Sequence, residues 1–161
     1  MVKLPSNNFF TLRVACDGES SSGKSTAAKL ISKKYKLFCM NSGLLFRYAS
    51  LLIIKNKPKK IISYLKKKFK NLNYKNITHL NLHSEEISNH VAFLAKRKKI
   101  RVIIRNFQKK IIKQHQRICC EGRDQASSIL NKKPRYDIAF YFTCNLNTAS
   151  LRRWRDLKKK I

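Results

Sequence analysis

The chain has 161 residues, of which 43% are hydrophobic, enough for one domain with a buried core and too apolar for a disordered chain. Its 37 Lys and Arg against 8 Asp and Glu give a formal charge of +29, which favours anionic partners such as nucleotides, nucleic acid or an acidic membrane surface. The lysines spread over most of the chain, so a Lys-, Ile- and Asn-rich coding bias on an ordinary fold also accounts for the bulk of that charge. No run approaches the roughly 20 apolar residues that span a bilayer, and the opening "MVKLPSNNFF" lacks the apolar stretch of a signal peptide, so a cytoplasmic protein with no membrane partner is expected.

In chain order, "FFTLRVACD" (9–17) reads as a buried strand. A glycine-bearing loop follows, and then a helix from Lys24 to about Lys34, with Ala27, Leu30 and Ile31 at helical spacing. "KLFCMN" (36–41) is a short second strand, and 42–54 is a helix with an apolar face. Residues 55–84 turn Lys- and Asn-rich but keep Ile61, Ile62, Tyr64, Leu65, Phe69 and Leu72, which need burial. This region is read as a small surface insert, placed at about 56–90. Ser84 is a candidate cap for a helix with acidic residues in its first turn. Ile100, Ile103, Ile104, Phe107 and Ile111 line one face of a long helix. "RICCE" (117–121) and "YDIAFYFTC" (136–144) are the third and fourth strands, and 147–160 is a last helix. Strands alternating with helices imply an α/β fold with a parallel sheet covered on both faces. Of the five cysteines, none forms a C-x-x-C pair, which argues against zinc. Cys16, Cys39 and Cys120 lie in apolar runs and read as reduced core thiols.

Between the first strand and first helix lies "DGESSSGKST": Gly18, four residues, then Gly23, Lys24 and Ser25. The glycines permit backbone geometry that a Cβ would obstruct, so that successive N–H groups form a nest for phosphate oxygens, aided by the helix N-terminus. Gly18, Glu19, Ser20, Ser21, Ser22, Gly23, Lys24, Ser25 and Thr26 are therefore the candidate ATP-binding residues. Lys24 would reach the β- and γ-phosphates and Ser25 would hold Mg²⁺, the expected cofactor. Position 21 is Ser where many such loops carry Gly, a mild departure because the backbone still supplies its N–H groups.

Three further stretches narrow the substrate: "NSGLLFRYAS" after the second strand, "CCEGRDQASSIL" after the third, and "EEISNHVAFLAKRKKIRVIIRNFQKK" between them. With the loop and the "LRR" of 151–153, they resemble the bacterial cytidylate kinases from about Val14 to Arg155. The resemblance implies a three-layer P-loop NTPase fold, with strand order 2-3-1-4 and a small acceptor-binding insert forming a flap over the acceptor pocket. It also implies transfer of the ATP γ-phosphoryl group to CMP or dCMP by a monomer. Carried over by position, Arg47 and Arg123 hold the acceptor's phosphate, Ser42 and Gly43 line its pocket, and Arg101 and Asp124 read the cytosine edge. Arg152 and Arg153 begin a lid over ATP, and Lys24, Arg123 and Arg153 form the catalytic set. Simpler readings stand beside these. Arg47 is also consistent with a solvated helix residue and Arg123–Asp124 with a surface ion pair. Arg101, Arg105 and Lys109 are also consistent with a solvated stripe.

The sequence departs from the family pattern in places. Ala92 stands where a cytosine-contacting Ser is common, and Asn41 replaces the Asp common before S/T-G. The R-D-x-x-D-x-x-R lid segment, fifth strand and last helix that the resemblance implies are not among the 161 residues. If these residues are the whole product, nucleotide binding with poor catalysis is expected. Two other functions compete: another nucleoside-monophosphate kinase, and a basic nucleic-acid-binding protein that retains a nucleotide fold. Against the second, Phe140, Tyr141 and Phe142 lie in an apolar run, which predicts core packing and no specific nucleic-acid partner.

Overall fold

A computed structural model describes residues 10–158; residues 1–9, which hold most of the opening read above for a signal peptide, and residues 159–161 lie outside the described residues. The chain divides into two compact units, Met1–Met40 with Ile112–Ile161, and Asn41–Ile111.

The first unit carries β1 (Leu12–Gly18), α1 (Lys24–Tyr35), most of β2 (Phe38–Asn41), β3 (Arg117–Gly122), β4 (Ile138–Phe142) and α7 (Leu146–Lys158). The four strands form one sheet in the order β2-β3-β1-β4, the order expected. β1 pairs in parallel with β3 on one side and β4 on the other, with Cys16 opposite both Glu121 and Phe140. β1 is central because Val14 to Cys16 are fully apolar and buried, as a strand with neighbours on both edges requires. Val14, Cys16, Ala28, Leu37 and Cys119 form one cluster of the core, flanked by Leu12, Ile31, Cys39 and Phe142.

Several expectations need correction here. Phe140 and Tyr141 are not core residues; they are 44% and 67% exposed. β4 is an edge strand, so an apolar run there does not imply burial. The buried stripe of α1 is Ala28 and Ser32, with Leu30 in solvent. Small side chains at i and i+4 let the helix lie close on the sheet, and this decides the face where mean apolarity does not. Cys119 is buried with Cys16 and Cys120, whereas Cys39 is only half-buried; all five cysteines are free.

The second unit is helical: α2 (Ser42–Asn56), α3 (Ile61–Lys70), α4 (Tyr74–Thr78), α5 (Glu85–Ala95) and most of α6 (Lys98–Gln114). Leu65, Phe69, Ile77, Leu82, Ile100, Ile104 and Phe107 are its interior, with Phe69 meeting Phe107 edge-on at 5.6 Å between centroids. The stripe from Ile100 to Ile111 is buried as its spacing predicts. Ser84 caps α5, its hydroxyl accepting from Ile87 N at 3.2 Å. No helix among the described residues is long and apolar enough to cross a membrane.

Candidate functional site

The loop between β1 and α1 turns through three residues with positive φ: Gly18 (151°), Ser21 (60°) and Gly23 (92°). Gly18 is required, because a Cβ there would collide with the carbonyl oxygen of Phe142 on the adjacent strand. The loop curls around one of its own carbonyls. Glu19 O accepts from Lys24 Nζ at 2.6 Å and from Ser22 Oγ at 2.9 Å. Glu19, Ser20 and Thr26 face solvent, whereas Ser22 is buried.

Two carboxylates that the sequence reading did not single out stand beside this loop. Asp17, the last residue before Gly18, is buried, and its two oxygens accept from Gln125 N at 2.7 Å and Ala126 N at 2.8 Å. Glu121, near the end of β3, is 4% exposed, and its Oε2 has no hydrogen-bond partner among the described residues. Burial pushes the Glu121 carboxyl above the usual range, against the opposing pull of the Ser25 hydroxyl and the Lys24 ammonium. Burial pushes Lys24 down; Glu121 counters this and Arg123 adds to it. Lys24, Ser25, Glu121 and Arg123 thus share one electrostatic neighbourhood in the first unit. Asp17 and Glu121 carried no local signal, since their importance comes from the pairing of β1 with β3.

Arg123 is exposed and Asp124 half-buried in the turn that leaves β3. A single π-helical turn, Gln125–Ile129, follows. On the other side, α7 brings Arg152 to the loop: its Nη1 donates to Ser21 O at 3.2 Å and lies 3.6 Å from where a Cβ on Gly23 would stand. Cys144 Sγ contacts the same carbonyl at 3.7 Å. Arg153 is exposed on the same helix.

Ser42, Gly43, Arg47 and Arg101 belong to the second unit. Ser42 is buried at the start of α2, whose cap is Asn41: Oδ1 accepts from Leu44 N at 3.1 Å, and the Asn41 N–H donates to Tyr74 Oη at 2.6 Å. An Asn caps as well as an Asp, so the loss of charge at this position leaves the helix start intact. Arg47 is no freely solvated residue: its Nη1 donates to Leu82 O and Ser88 Oγ, each at 3.0 Å. Arg101 is exposed on α6 and Ala92 exposed on α5.

Known proteins are similar to this chain in sequence. The family model described as Cytidylate kinase matches residues 14–161. The cytidylate kinase of Phytoplasma mali is 33% identical over 162 residues, which cover 91% of this chain and 68% of that protein. Those of Mesomycoplasma hyopneumoniae and Clostridium acetobutylicum are each 29% identical, over 90% and 92% of this chain and 67% and 72% of their own lengths.

Proposed function

The chain belongs to the cytidylate kinase family, and from that premise we propose that it transfers the γ-phosphoryl group of ATP to CMP or dCMP. The observation that carries the reading is the gathering of Lys24, Ser25, Glu121, Arg123 and Arg152 about one strand–loop–helix junction. Phosphoryl transfer asks a protein mainly to position two anionic groups and neutralise the charge between them. Lys24 would swing from Glu19 O to the β- and γ-phosphates while the loop amides hold the chain. Arg123 and Arg153 would neutralise charge at the transferring group, and Arg152 would close over ATP from its seat on Ser21 O. In the second unit, Arg47 would take the acceptor phosphate, Ser42 and Gly43 would line the pocket, and Arg101 would read the base. Asp124 would accept from the cytosine exocyclic amine, a group for which uracil presents an acceptor.

A divalent cation fits the residues present. The unpartnered Oε2 of buried Glu121 beside the Ser25 hydroxyl is a hard oxygen pair of the kind Mg²⁺ takes. Ser25 and Glu121 would hold it, and when bound it supplies charge neutralisation at the phosphate oxygens. The five free thiols agree with a reducing, cytoplasmic setting, and we take the protein to act as a monomer.

Ala92 offers no hydroxyl, so base preference is the part to test. ADP release is to be measured with each of the four common nucleoside monophosphates. CMP or dCMP should be turned over at least tenfold faster than UMP or AMP; a preference for UMP or AMP would replace cytidylate with another base. Salt-sensitive sub-micromolar binding to generic RNA, without ATP binding, would replace the kinase reading altogether.

A further inference from the structure

We propose that Asp17 is a positioning residue that ties the acceptor-contacting turn to the phosphate loop. The inference rests on the function proposed above, because it takes Arg123 and Asp124 as acceptor contacts. Its footing is geometric. The π-helical turn after Asp124 begins with backbone donors that need partners, and no side chain caps it locally. Asp124, which stands at the capping position, makes no capping bond. Two of the exposed donors, Gln125 N and Ala126 N, are met instead by the two oxygens of Asp17, at 2.7 and 2.8 Å.

The carboxylate doing this lies at the end of β1, one residue before the phosphate loop, and is 5% exposed. A buried carboxylate accepting two amide bonds is held tightly, because charge-assisted bonds of this kind are short and strong. The β1–β3 register places Asp17 opposite Gly122, so the side chain need only cross to the neighbouring strand's exit. One side chain at the root of the loop proposed for ATP therefore holds the turn that presents Arg123. The carboxylate's acceptors are committed to the two amides, which leaves Glu121 as the carboxylate with an open oxygen. The two acids thus divide the work, one fixing geometry and the other offered to a cation.

The test is Asp17→Asn, nearly the same shape with one acceptor replaced by a donor. Calorimetric titration with CMP and with a non-hydrolysable ATP analogue separates the two sides. CMP affinity should fall about tenfold and turnover about 10²-fold, the scale of a misplacement near 1 Å. Affinity for the ATP analogue should stay within threefold. Amide exchange at Gln125 and Ala126 should accelerate at least tenfold, a readout independent of activity. On an Arg123→Ala background, Asp17→Asn should cost little more, because the two changes strike the same contact. Unchanged exchange at both amides overturns the tie, and fully additive losses overturn its action through Arg123. If Asp17→Asn does not fold, Asp17→Glu keeps the charge on a longer arm; full CMP affinity in that variant overturns the proposal. Faster exchange in Asp17→Asn, in a parent that never turns over CMP, supports the tie and removes only the function above.

Discussion

Ser21 holds a φ of 60°, a conformation that costs a residue with a Cβ about 1–2 kcal/mol. The loop needs that geometry because the Ser21 carbonyl receives both Arg152 and Cys144. Ser21→Gly keeps the carbonyl and removes the strain, so the midpoint of urea unfolding should rise by the equivalent of about 1 kcal/mol. Glu121 makes a similar trade of stability against function. Its carboxyl titrates above the usual range in the folded chain, chiefly through burial. Such a group stabilises the fold below its unfolded pKa, roughly 4.3, and loses that contribution as pH climbs through the folded value. At pH 7 the buried charge is a cost. Glu121→Gln should therefore raise the thermal midpoint by about 2–4 °C at pH 7 and by nothing near pH 4, as scanning calorimetry at the two values would show. The same variant should lose phosphotransfer. Lys24 and Ser25 were legible in the sequence because loop chemistry fixes their spacing. Asp17 and Glu121 were not, because no local pattern announces which acids two paired strands will bring to the same end of a sheet.

Among the elements, spacing served helices better than strands. The Ile100–Ile111 stripe and the Ser84 cap were readable because each rests on contacts three or four residues apart. Ser84→Ala should destabilise the chain by about 1 kcal/mol in denaturant unfolding, since Ile87 N loses its acceptor and Glu85 and Glu86 alone are left to favour the helix start. Spacing identified α1 as a helix but not its buried face, because a contact with a sheet selects small residues, Ala28 and Ser32, over the larger Leu30. β4 was misjudged because composition names a strand without telling how many neighbours it will have. Asn41 shows the converse: a departure that read as a lost charge is a competent helix cap.

For the whole molecule, alternating strands and helices implied the parallel sheet and the family resemblance implied its order, whereas neither announced the exposed apolar surface. Ile138, Phe140 and Tyr141 on β4 and Leu146, Leu151 and Trp154 on α7 are all at least 44% exposed. β4 carries no charge and no proline, the usual guards of an edge strand. For these 161 residues taken by themselves, self-association by strand addition is the expected hazard, opposed by the repulsion of their +29 charge. Tyr141→Lys should reduce light scattering at high salt, where that repulsion is screened, while shifting the unfolding free energy by no more than about 0.5 kcal/mol. The thiols give the same molecule an internal clock. Cys16, Cys119 and Cys120 sit on the two central strands out of reach of reagents, with burial raising the Cys120 thiol, while Cys39 and Cys144 are partly accessible. A thiol-trapping reagent should therefore label in two phases, two groups early and three only when β1 parts from β3. The slow phase would time the opening of the sheet in the unmodified chain, with no probe introduced.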